Sequence, residues 1–470
     1  MIMIRRNKTI ALLVTTILPL WMVISCGRIP EQGTLVITES YGNKVTAGPE
    51  TDRTGEGSLF RLVLFHPEKK TSQQLTKDFF SARYAEVSYD GKSLLFTGKH
   101  KQEDPWQIWE MNLRSRKARQ ITKSADNSVD PAYLPGGRIV FSRKLTNDSL
   151  KGGFSLFTCG TDGSDLRRIT FSPHDYTGSS VLKDGRILTI SKQTYPSEGH
   201  PVVMVLRPDG TKNELFYTGN FPISSCRETS DGKVLFTESE ASGNTAGTPV
   251  AISYNRPLHS RQALASQGEY RFVCSTGSGQ MLVSVRDSMS GRFTLSYLDR
   301  ERKSPGEPSY TAGEGDVQEV TEVVVRERPK KLPSEVDPGV KTGQLMCQNI
   351  NLTGLTSPET GFTLPKARQI EVFGLNESMG RVSVEPDGSF YLKLPADTPF
   401  RIETLDSLGR VVNGPGGWYY LRPNERRGCA GCHEDQEIAP ANRYALAVGK
   451  KPVTLPIHIE NIKEKEVELE

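Results

Sequence analysis

Cys429-Ala430-Gly431-Cys432-His433 places two thiols two residues apart, with an imidazole immediately after the second. Two thiols at that spacing can add across the two vinyl groups of one porphyrin while the adjoining imidazole reaches its iron. The pattern therefore points to one covalently attached c-type haem, with His433 as the proximal ligand. The small residues Ala430 and Gly431 let the backbone lie close to the porphyrin edge. The same thiols would also suit a thioredoxin-like redox pair or half of a zinc site. The first belongs at a strand-to-helix junction in a βαβ pattern, and the second needs another C-x-x-C or a histidine pair. Neither context is found, since only His458 follows the motif.

Weaker candidates surround this motif. Arg426 and Arg427 suit haem propionates, because a guanidinium fork matches a carboxylate, although a basic pair is by default solvated. His174-Asp175 precedes an apolar strand where a propeller channel would open, so His174 is a candidate distal iron ligand or proton donor. The bland reading of a loop histidine is simple solvation. Cys226 and Cys274 hold nearly equivalent places in successive repeat units. A metal site, an inter-blade disulfide and a pair of inert buried thiols all remain open for them. Cys159 and Cys347 complete the unassigned thiols, and no spacing fixes their pairing. No Ser-His-Asp arrangement, phosphate loop or paired-carboxylate site stands out.

Covalent haem attachment requires export, and the N-terminus supplies a matching signal. Arg5, Arg6 and Lys8 precede an apolar run from Ile10 to Ile24, the length of a signal-peptide core and short for a membrane span. The run ends in Val23-Ile24-Ser25-Cys26, which resembles a bacterial lipobox. Residues 1–26 thus read as a lipoprotein signal peptide, with Cys26 lipidated and anchored to the membrane. Gly27 rather than Asp follows, which favours the outer membrane, facing periplasm or exterior. A net charge of +4, with no basic stripe interleaved with aromatics, gives no support to nucleic-acid binding.

The elements that must carry this chemistry are strands. Glycines 91, 137, 185, 232 and 279 each open a turn followed by an apolar strand such as SLLFTG or IVFSR, with spacings of 46, 48, 47 and 47 residues. An Asp-Gly or Gly-Gly pair between apolar runs is a strong hairpin signal, because glycine accepts positive φ. About four short strands per unit is the arithmetic of a β-propeller blade. Residues 33–300 leave room for six blades, with TLVITES and SLFRLVLF closing the ring against the last. Residues 301–341, rich in proline, glycine and charge, read as a linker in which TEVVV contributes one strand. Residues 342–425 alternate well enough for a small β-sandwich. Residues 426–470 then form the haem segment and tail. The fold class expected is all-β throughout, and no amphipathic helix stands out between residues 33 and 425.

Two stretches carry a resemblance. Residues 384–410 (VEPDGSFYLKLPADTPFRIETLDSLGR) and 422–435, continuing to Ala439-Pro440-Ala441-Asn442-Arg443, look like the hydrazine synthase alpha-subunit-like family. The repeat units, with Pro131 to Arg138 closest, resemble TolB-like propeller blades. The resemblance implies the order propeller, middle β domain, haem motif, with one covalent haem c. It also implies that the family's namesake subunit carries a further haem domain, whereas thirty-seven residues follow His433 here. Architecture and haem attachment are therefore expected to carry over, and hydrazine synthesis is not. The functions expected are a haem enzyme acting on a small molecule, or electron transfer to a redox partner protein. The alternative is an interaction scaffold in which the haem is secondary.

Overall fold

A computed structural model describes residues 30–41, 59–239, 246–266, 268–286, 291–353, 364–431, 437 and 442–456. The signal segment with Cys26, and Cys432 and His433 of the motif, lie outside the described residues.

The repeating glycines do what their spacing implies. Gly91, Gly137, Gly185, Gly232 and Gly279 all sit at positive φ, between +69° and +91°, and turn the first strand of each unit back onto the second. Six antiparallel sheets of four strands result, and these are the blades of a propeller. Their innermost strands are Val317–Val323, Ser81–Val87, Ser128–Leu134, His174–Val181, Ile223–Glu228 and Glu269–Ser275, for blades 1 to 6 in turn. Strand alternation gives each blade apolar residues on both faces, and neighbouring blades bury them against one another. Val36, Leu62 and Leu64 of blade 1 pack on Leu94, Phe96 and Met111 of blade 2 in this way.

The stretch expected to be linker is more structured than its composition implies. Ser304–Tyr310 is the outer strand of blade 6. Val317–Val323 crosses to the start of the chain and pairs antiparallel with Thr34–Tyr41. The N-terminal strands do close the ring, and they do so through this late strand. The reason is an edge: without it Thr34–Tyr41 would present unpaired backbone to the channel. From Arg326 onward the chain lies along the turns of successive blades. Arg326 N donates to Tyr89 O at 2.8 Å, Lys330 N to Lys183 O at 3.2 Å and Glu335 N to an Asp209 carboxylate oxygen at 2.8 Å. A connection tied down at blades 2 and 4 is a strap rather than a flexible tether.

The strap delivers the chain to a two-layer sandwich. One sheet holds Thr342–Cys347, Phe390–Pro395, Arg426–Cys429 and Val453–Thr454, and the other holds Gln369–Phe373, Ser378–Ser383, Arg401–Leu405 and Val411–Asn413. Leu345, Cys347, Leu392 and Leu394 of the first layer bury against Ile370, Val372 and Val382 of the second. The boundary expected at residue 426 does not separate two units. Arg426–Cys429 and Val453–Thr454 add to the sandwich as parallel edge strands, so the motif's first half belongs to the middle domain. Among the described residues the one helical element is the 3-10 turn Leu446–Gly449. No helix there is long and apolar enough to cross a membrane.

Candidate functional site

Strand Arg426–Cys429 runs parallel to Thr342–Cys347, with Arg427 opposite Leu345 and Cys429 opposite Cys347. Gln348 N donates to Cys429 O at 2.9 Å and Asn349 N to Ala430 O at 3.1 Å, so the ladder continues into the motif. Gly431 is buried, and a Cβ there would lie 2.2 Å from Leu352 O. The need for glycine at this position thus comes first from the middle domain's own backbone, not from a porphyrin edge. Three consecutive motif residues are fixed while Cys429 stays half-buried at a sheet edge. The Cys429 side chain packs against the sandwich core, so the backbone that presents it is rigid.

Alternation along the strand splits the two arginines between opposite faces. Arg426 is exposed and remains available to an anion. Arg427 is 6% exposed and points into the seam between sandwich and propeller. Its Nη2 donates to Glu425 Oε1 at 2.8 Å, its Nε to the same oxygen at 3.2 Å, and its Nη1 to Asn213 O of blade 4 at 3.4 Å. The propionate role expected for Arg427 is therefore replaced by an internal ion pair. Glu425, 1% exposed, also accepts from Lys212 N at 2.9 Å and Arg422 N at 2.8 Å. Lys212 Nζ donates to Arg426 O. Around this hub Tyr420 OH donates to Ile169 O and Gly210 O, and Trp418 Nε1 to Tyr195 O at 2.7 Å. The segment entering the motif is thus riveted to blade 4.

His174, read from the sequence as a loop residue preceding an apolar strand, is instead the first residue of blade 4's inner strand, and the apolar run Ile187–Gln193 is the second strand of that blade. Its Nδ1 lies 2.8 Å from Ser191 Oγ, its ring stacks on Tyr176, and its Nε2 is buried with no hydrogen-bond partner. Tyr176 OH bonds Ser172 Oγ, Ser191 and Asn213 Nδ2. A buried polar path therefore runs from His174 through Ser191, Tyr176 and Asn213 to Arg427. Burial pushes the His174 pKa down to about 4, so the ring is neutral. A folded-state pKa below the ordinary value of about 6.5 means that the unfolded chain takes the proton first on acidification. Stability contributed here is complete above that ordinary value and is lost as pH falls towards 4. Asp175, whose carboxyl pKa burial raises, contributes with the opposite sign. His174→Gln is therefore expected to flatten the loss of urea resistance between pH 6.5 and 4 relative to wild type. Parallel slopes for the two proteins would contradict a neutral, buried imidazole.

One residue near the motif carried no signal in the sequence. Glu437, four positions after His433, accepts from Leu258 N at 2.5 Å and pairs with Arg256 at 3.4 Å. Both lie in the loop between strands Thr248–Ser253 and Gln262–Ala263 of blade 5, and His259 follows Leu258 in that loop. No motif marks His259, whose loop comes to notice only through the contacts of Glu437 with Leu258 and Arg256. Of the readings left open for Cys226 and Cys274, a shared site is not formed: Cys226 packs between blades 4 and 5 and Cys274 between blades 6 and 1. Burial pushes the Cys159 thiol up to about 11. No cluster of three His, Cys, Asp or Glu side chains able to hold a metal occurs among the described residues.

Comparison with known proteins agrees with this architecture. Residues 336–434 match the family described as hydrazine synthase alpha subunit middle domain. The chain is 23% identical to hydrazine synthase subunit alpha of Kuenenia stuttgartiensis over an alignment of 557 positions, which covers 86% of this chain and 68% of that one. The solved hydrazine synthase of the same organism superposes with a TM-score of 0.77 at 19% identity, over 89% of this chain and 72% of that chain. TolB from Acinetobacter baumannii aligns at a TM-score of 0.46 and 14% identity, over 63% of this chain and 68% of that chain. Propeller, strap and sandwich thus follow one another in a fold similar to that of hydrazine synthase, and residues 336–434 match the hydrazine synthase alpha subunit middle domain.

Proposed function

We propose that this chain is an exported redox protein whose one haem c is bound through Cys429 and Cys432, with His433 as the proximal ligand. The observation that carries the reading is the placement of Cys429. It ends a fixed edge strand inside the matched middle domain, packed against the sandwich core and two residues after Arg427, which meets blade 4 of the propeller. The protein shell around a haem governs solvent access and reduction potential, which matter for a haem enzyme and an electron carrier alike. Arg426, exposed beside the motif, suits a propionate. The relative's name, a subunit alpha, supports a partner protein for this chain as well.

Two imidazoles of the propeller are candidates for the open side of the iron. His259 shares a loop with the residues that hold Glu437, and His174 offers a neutral ring with Nε2 unengaged. Neutral imidazole is the form that ligates iron. Optical spectra of the oxidised and reduced protein, with carbon monoxide and cyanide added, test the arrangement. A propeller histidine on the iron gives a six-coordinate spectrum, and His259→Ala or His174→Ala then opens the site to these ligands. Rapid ligand binding by the wild type, unchanged in both variants, would remove both residues and favour an enzyme with an open iron.

Localisation follows from residues 1–26. We propose that Cys26 is lipidated and holds the protein to the outer membrane. Cys26→Ser is expected to move the protein from the membrane fraction to the soluble one, or to leave an unprocessed precursor. Detergent-requiring membrane association identical to wild type would contradict a lipid anchor.

A further inference from the structure

A second thiol stands beside the attachment strand. Of the five cysteines among the described residues, Cys347 and Cys429 are the pair that shares one hydrophobic cluster. They lie directly opposite each other where Thr342–Cys347 runs parallel to Arg426–Cys429. Residues opposite one another in a ladder send their side chains to the same face, and both of these turn to the sandwich core. Cys347 is 1% exposed, with Phe390 opposite it on the other neighbouring strand. Cys429 is half-buried on the outermost strand of the sheet.

Adjacent strands are about 4.8 Å apart, within the range of Cα separations that a disulfide spans. Because Arg426–Cys429 is an edge strand, the final approach of the two sulfur atoms breaks no pairing on its far side. Both residues are thiols in this structure. An exported chain meets disulfide oxidants, so two thiols held opposite each other have a reaction open to them.

We propose that Cys347 is a redox partner of Cys429 and that the two close a reversible disulfide before haem is attached. The co-reactant is a disulfide of the cell envelope or, in solution, oxidised glutathione. Cys429, the more accessible thiol, attacks it as the thiolate, forming a mixed disulfide and releasing one thiol. Cys347 then attacks the Cys429 sulfur, and the second thiol leaves with the Cys347 proton. Two electrons and two protons pass from the cysteine pair to the oxidant, which ends as two thiols. A dithiol reverses both steps. While the bridge is closed, Cys429 cannot add to a haem vinyl group, so attachment waits on reduction. That control rests on the haem reading proposed above, whereas the disulfide itself does not.

The test is peptide mapping, without reduction, of the haem-free full chain after incubation with oxidised glutathione. The expected product is a linked pair of peptides, one containing Cys347 and the other Cys429, which separates on reduction. Haem loading is measured alongside, in cells grown with and without an added dithiol. Wild type should load several-fold more haem with the dithiol present. Cys347→Ala, and Cys347→Val, which refills the core, should reach the higher level without it. Cys429 recovered only as a thiol, or linked to Cys432, would overturn the bridge. Equal dithiol dependence in wild type and both variants would overturn its control of attachment. A mapped bridge in a chain that never takes up haem would support the disulfide and contradict the haem reading instead.

Discussion

Arg427→Ala should cost about 3–5 kcal/mol, the loss typical when one member of a buried ion pair is removed. The magnitude follows from where the pair sits. Glu425 is 1% exposed and Arg427 6%, so deleting the guanidinium leaves a carboxylate sealed in the seam. Its remaining partners, Lys212 N and Arg422 N, are neutral amides and do not balance the charge. The effect should appear as undocking: faster proteolytic cleavage within the strap at residues 324–341, and a lower thermal midpoint. A companion variant separates charge from packing. Replacing both residues together, Glu425→Leu with Arg427→Met, removes the stranded charge and should recover much of the loss. An Arg427→Ala protein within about 1 kcal/mol of wild type would show that the pair is solvated and does not fasten the domains.

The second large effect concerns the thiols. Cys429→Ala with Cys432→Ala should abolish haem staining of the denatured polypeptide, because no covalent link remains. The single change Cys429→Ala should leave at most one thioether and greatly reduce the yield of haem-loaded protein. The propeller should survive both changes, since Cys429 lies at a sheet edge of the sandwich and outside every blade. Circular dichroism of strand content with haem absorbance therefore distinguishes lost attachment from lost folding. Full haem staining in the double variant would place the attachment elsewhere.

What the sequence made legible were features written in one stretch of chain. The blade period is local, since each glycine turn (Asp-Gly, Gly-Gly or, at Gly279, Ser-Gly) needs only positive φ and two flanking strands, and all five glycines adopt it. The sandwich strands were legible through alternation. Features made by distant residues were not legible. A strand was legible at TEVVV, but its extent, Val317–Val323, and its pairing with the inner edge of Thr34–Tyr41 were not. Arg426 and Arg427 read as one basic pair, yet a strand sends neighbouring side chains to opposite faces, one to solvent and one to Glu425. His259 has no motif around it, and only the contact of Glu437 with its loop brings it to notice. Cys347 and Cys429 are distant in the chain, and only the parallel pairing of their strands sets them opposite each other.

The central claim is that one haem is covalently bound at Cys429 and Cys432. Intact-mass measurement of the denatured, purified protein, followed by sequencing of the proteolytic peptide spanning residues 427–443, tests it directly. The expected result is a mass exceeding that of the processed polypeptide by one haem, with the increment localised to the peptide containing both cysteines. An unmodified peptide from protein that nevertheless shows haem absorbance before denaturation would contradict the claim, and would make the haem a dissociable ligand held somewhere else.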